Sequence, residues 1–115
     1  MKELNKLQSD LAEFAKARDW DQFHSPKNLA MALSGEVGEV LEHFQWLTEE
    51  QSQNLTYEQR REVGEELADV FMYLLRLADK TGINLIDESN KKLVINETKY
   101  PVDKSYGIST KYTKL

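Results

Sequence analysis

Leu4, Leu7, Leu11 and Phe14 with Ala15 recur at three- and four-residue steps, the period of a helix that buries one side, and predict a first helix ending near Arg18 or Asp19. Trp20 and Phe23 fall in the connection that follows. Ser25 and Pro26 supply an N-cap and a first helical residue. They open a second helix expected to reach about Leu47, with Leu29, Leu33, Val37, Val40, Leu41 and Phe44 as its core stripe. The polar run 48–54 reads as a loop. Thr56 and Gln59 have capping-box spacing and open a third helix to Thr81, where Gly82 can adopt the left-handed conformation that ends it. Its apolar stripe is Leu67, Val70, Phe71, Leu74 and Ala78. A fourth helix over residues 85–99 carries Ile86, Leu93 and Val94 inward and ends before Pro101, and 102–115 shows no helical period.

The pattern predicts an all-α fold: a four-helix bundle over residues 1–101 and a short irregular tail, 102–115. Gly 5 and Pro 2 are too few for a turn-rich β protein. A chain of 115 residues buries limited surface by itself, so association into a homodimer or a dimer of dimers is expected. The net charge of -5, with no cluster of Lys and Arg, argues against nucleic acid as a partner and means that a polyanionic ligand needs a metal bridge. Having no cysteine excludes disulfides, thiolate nucleophiles and zinc–thiolate sites and fits a reducing cytoplasm. Residues 1–10 alternate charged and apolar side chains, so neither a signal peptide nor a membrane span is expected there.

The candidate chemistry lies in two acidic pairs, Glu36 with Glu39 and Glu66 with Asp69. Three-residue spacing aims each pair to one side of its helix, and antiparallel packing of the two helices would let four carboxylates converge. Four unpaired carboxylates repel one another, and a hard divalent cation removes the repulsion. Magnesium takes such oxygen ligands and shares its remaining coordination with water and phosphate. The plain alternative is a solvated acidic face. Gly35 and Gly38 beside Glu36 are costly in a helix interior and suggest a close approach there.

The run Asn28-Leu29-Ala30-Met31-Ala32-Leu33-Ser34-Gly35-Glu36-Val37-Gly38-Glu39-Val40, then Phe44-Gln45-Trp46 and Glu65-Glu66-Leu67-Ala68-Asp69-Val70, resembles the MazG-like all-α nucleoside triphosphate pyrophosphatases. Arg18-Asp19-Trp20, Phe23-His24, Tyr73, and Lys92 with Asn96 before Tyr100-Pro101 are most similar to the dCTP-pyrophosphatase branch. Many MazG-type members open the first motif with two adjacent glutamates, whereas Gly35 precedes Glu36 here. One fewer carboxylate is then available to a second metal ion.

The resemblance implies magnesium held by Glu36, Glu39, Glu66 and Asp69, and hydrolysis of a deoxynucleoside triphosphate, dCTP or a modified form favoured, to monophosphate and pyrophosphate. Such an activity would keep the nucleotide pool clean. Glu39, furthest from the expected core, is the candidate to take the proton of the attacking water, with Glu62 and Glu65 in reserve. Trp20, Trp46 and Tyr73 are candidates to stack on the base, and His24, Lys92 and Asn96 to contact base or phosphate. Lys80 and His43 are weaker candidates for the phosphate and the acidic edge. A ferritin-like di-iron site would need Glu-x-x-His pairs, which are missing. A non-enzymatic helical interaction module is the other alternative.

Overall fold

Every long helix after the first starts where a side-chain oxygen accepts from an otherwise orphaned backbone N–H. The computed structural model describes residues 1–115, and its elements are all helical. Helix α1 spans Lys2–Ala17 and leads through a single 3-10 turn, Asp21–Phe23, to α2, Pro26–Phe44. Ser25 Oγ accepts from the Asn28 N–H at 3.2 Å, with Pro26 in the first turn of α2. Helix α4, Tyr57–Thr81, opens on the expected box: the Gln59 N–H donates to Thr56 Oγ1 at 3.1 Å, and the Thr56 N–H donates to Gln59 Oε1 at 2.8 Å. Asn84 caps α5, Leu85–Lys99.

Gly82 ends α4 at φ 70. A Cβ built there meets no atom within 4 Å, so a substitution tests backbone conformation alone. Gly82→Ala is expected to lower stability by about 1 kcal/mol in urea unfolding. An unchanged midpoint would mean that the helix does not depend on a left-handed residue for its end. Asp19 also has positive φ, 54°, at the bend after α1, where Gln22 Nε2 donates to its carboxylate at 3.0 Å.

Two of the boundaries differ from those read in the sequence. Residues 48–54 are not a loop throughout: α3, Glu49–Gln53, is a short helix opened by a second capping box between Thr48 and Gln51. Its cap is strong and its body has no apolar stripe, so periodicity misses it. Helix α2 stops at Phe44, short of Leu47. Within the tail, α6 is a single turn, Val102–Ser105.

The chain forms two compact units, Met1–Gly82 and Ile83–Leu115. In the first, α2 runs along α4 and α1 packs on α4. Gln8 Nε2 ties α1 to α4 by donating to Leu75 O at 3.2 Å. Ala15, Leu29, Val63, Leu75 and Ala78 are its buried apolar residues, Leu29 and Leu75 fully so. Leu33, Val40, Phe44, Val70 and Leu74 are half-buried. Val37 and Leu41 on α2, and Leu67 and Phe71 on α4, were expected inside and are instead exposed. The reason is rotational: the contact between α2 and α4 includes the acidic positions, which turns these four residues outward. In the second unit Tyr100 and Tyr112 meet edge to face at 5.9 Å, with Lys99 Nζ 4.6 Å from the Tyr112 ring centre. Leu93 and Val94 of α5 are exposed rather than inward. That unit has no second long helix to cover them. No helix of the chain is long and apolar enough to cross a membrane.

Candidate metal centre and adjoining cavity

Glu36 and Glu39 leave α2, and Glu66 and Asp69 leave α4, with one oxygen of each within 4.8 Å of the others. Three-residue spacing puts each pair on one side of its helix, and the α2–α4 packing brings the pairs together. Glu36 Oε2 and Glu66 Oε2 are buried and accept no hydrogen bond. Burial, then the neighbouring Glu39, then Asp69 and Glu66, raise the Glu36 pKa above the ordinary carboxylate range. Hydrogen bonding with Glu39, then burial and the charges of Glu39 and Asp69, raise Glu66 as well. His43 opposes the shift at Glu66, its Nε2 lying 3.8 Å from Glu66 Oε1. The other ring nitrogen of His43 is 4.0 Å from Glu62.

The reserve carboxylates stay outside the cluster. Glu65 pairs with Arg61 at 2.9 Å, and Glu62 flanks His43. Lys80 is held by Asp21 at 3.3 Å. Gly35 and Gly38 have nothing within 4 Å of a built Cβ, so the close approach expected beside Glu36 is not made within the chain.

A cavity of about 390 Å³ lies between α1 and α4, with Trp20, His24, Tyr73, Phe14 and Arg76 in its wall. Asp69 lines it too, so the cavity and the acidic cluster share a residue. Trp20 meets Phe14 edge to face at 5.6 Å and lies 6.2 Å from the His24 ring. Burial first, then the Arg76 charge, lower the His24 pKa and favour a neutral ring. The volume suits one flat aromatic group. Trp46 lies past the end of α2, 86% exposed, and does not line the cavity. Lys92 and Asn96 are one turn apart on α5, in the second unit.

The sequence profile of the MazG-like family matches residues 31–115. The chain belongs to the MazG-like family. It is 46% identical over 106 residues to mouse dCTP pyrophosphatase 1 and 44% identical to the human protein of that name, in each case across 90% of this chain and 62% of the relative. The chain thus spans about three fifths of the length of these relatives. A crystal structure of a pyrophosphatase from Archaeoglobus fulgidus superposes with a TM-score of 0.81 at 42% identity, covering 86% of this chain and 93% of the other.

The donor set of this MazG-like chain fits a hard divalent cation: four carboxylates, two with orphaned buried oxygens, and no sulfur ligand. The sequence reading missed Arg76, which is 5% exposed and donates to Asp21 Oδ1 at 3.0 Å. Its signal was available, since a lone arginine in the run Tyr73, Leu74, Leu75, Arg76, Leu77, Ala78 must find a buried partner.

Proposed function

We propose that this chain is a magnesium-dependent nucleoside triphosphate pyrophosphatase that converts dNTPs to dNMP and pyrophosphate, with dCTP as the leading substrate. The observation that carries the reading is Asp69, common to the aromatic-lined cavity and to the acidic cluster. A ligand that suits both has a flat ring at one end and a polyanion at the other. Curated relatives named dCTP pyrophosphatase 1 support the choice of base.

Glu36, Glu39, Glu66 and Asp69 would hold the magnesium, which when bound neutralises charge on the phosphate oxygens. Glu39, the exposed member of the four, is the residue assigned to orient the attacking water and accept its proton. Trp20 and Tyr73 stack on the base, and His24 contacts its edge. Trp46, Lys92 and Asn96, none of which lines the cavity, keep candidate roles in substrate binding on the family resemblance alone. Residues 1–101 form the catalytic domain with 102–115 as its tail, working on the cytoplasmic nucleotide pool. The chain works as a homodimer or a dimer of dimers, through the uncovered stripe of Met31, Val37 and Leu41 on α2 and Leu67 and Phe71 on α4.

Incubation with each dNTP, with and without magnesium, followed by product separation, tests the reading. Monophosphate and pyrophosphate appearing from dCTP only with magnesium is the expected result. Diphosphate and phosphate would move the cleavage to another bond, and no turnover of any nucleotide would favour a helical interaction module.

A further inference from the structure

Arg76 carries a full charge in the wall of the cavity while only 5% exposed. Its Nη2 donates to Asp21 Oδ1 at 3.0 Å and faces His24 Nδ1 at 3.3 Å, and Nη1 is 3.6 Å from Asp79 Oδ2. Its Nε is buried with no partner. An apolar side chain would avoid that unsatisfied donor, so core packing alone does not account for an arginine here.

A guanidinium has only donors and does not release its proton. The nitrogen that faces it must therefore offer a lone pair, which places the proton of a neutral His24 on Nε2. Nε2 makes no hydrogen bond within the chain, and its ring lines the cavity with Trp20 and Tyr73. We propose that Arg76 is a positioning residue: by donating to His24 Nδ1 it fixes the Nε2–H tautomer and gives the cavity a hydrogen-bond donor that, set against position 3 of a pyrimidine, favours a ring nitrogen that accepts over one that donates. The selection of a base rests on the pyrophosphatase reading above; the tautomer does not. Both pyrimidines accept at O2 and thymine also at O4, so the donor discriminates only at position 3, where N3 of cytosine accepts and N3 of thymine carries a hydrogen. A locked donor meets that N–H donor to donor, while an unlocked imidazole can exchange tautomers and accept from it.

Long-range proton–nitrogen NMR of the nucleotide-free protein reads the tautomer directly. The wild-type chain is expected to show His24 with unprotonated Nδ1 and protonated Nε2, Arg76→Lys to keep that signature, and Arg76→Met to give a mixture of tautomers. Kinetics with dCTP and dTTP supply the second readout. In Arg76→Met, kcat/KM for dCTP is expected to fall roughly tenfold, dTTP to change less, and the preference between them to shrink. His24→Gln should shrink the preference similarly and covers the case in which Arg76→Met does not fold. A protonated Nδ1 in the wild-type chain, a tautomer unaltered in Arg76→Met, or an unaltered base preference in His24→Gln would overturn the proposal. If the wild-type chain turns over no nucleotide, base selection falls with the pyrophosphatase reading, and the NMR result still decides the tautomer.

Discussion

Glu36→Gln and Asp69→Asn are each expected to lower the proposed magnesium-dependent turnover of dCTP by roughly a thousandfold or more while helical content stays unchanged. Each replacement keeps the shape of the side chain and removes one anionic ligand from a set of four whose oxygens lie within 4.8 Å. Stability should move the other way. Without divalent metal the wild-type cluster holds carboxylates that repel one another, so Glu36→Gln is expected to melt higher than the wild-type chain in chelator and to gain less from added magnesium. The pH dependence follows from the raised pKa values of Glu36 and Glu66. A carboxylate whose pKa is raised by folding binds its proton more tightly in the folded chain, so its contribution is complete below the unfolded-state pKa and is lost as pH rises through the raised value. In chelator, stability should therefore decline between the ordinary glutamate range and the raised values, less steeply in Glu36→Gln. Thermal melts across that interval read the slope. Unchanged turnover together with an unchanged slope would remove Glu36 from the centre.

Leu41→Glu is expected to abolish the proposed association and to make unfolding independent of protein concentration, with a midpoint well below that of the wild-type chain. Leu41 is 57% exposed and Val37 51%, while few apolar side chains of the first unit are fully buried. An uncovered apolar stripe on the longest helices of a small chain is a surface that a second copy can bury, and a C2 contact would meet the same stripe on its partner. A glutamate there leaves a charge facing apolar surface, at a loss of several kcal/mol if the contact forms. Sedimentation of both proteins over a range of concentrations decides the point. A wild-type chain that sediments as a monomer at every concentration would remove the interface.

Local chemistry was legible in the sequence wherever it acts over a few residues. Ser25 before Pro26, Thr56 with Gln59, and Gly82 fix helix ends through neighbours within one turn, and those ends stand where the pattern put them. The same capping code is present at Thr48 and Gln51 but opens a helix too short and polar for periodicity to register. The acidic pairs could be read because a three-residue spacing survives any packing of the two helices. Which apolar stripe turns inward is a different kind of question. Period alone gives α2 a broad apolar side, and only the mutual rotation of α2 and α4 leaves Leu29 buried and Leu41 outside. Arg76 was hidden for a related reason, since its partner Asp21 lies 55 residues away along the chain.

Helix α4 runs 25 residues without a break and carries Glu66, Asp69, Tyr73 and Arg76 on successive turns. Acidic cluster and aromatic cavity are thus mounted on one rigid rod, and from Asp69 to Arg76 their spacing is set by helical rise, about 10 Å. One inserted or deleted residue between them would swing everything beyond it by about 100°. Descendants of this chain can trade side chains along that stretch but cannot change its length, whereas the segment from Gln45 to Leu55 can lengthen or shorten without touching the register. The history of the protein should therefore be written as substitutions in α4 and as insertions and deletions before it.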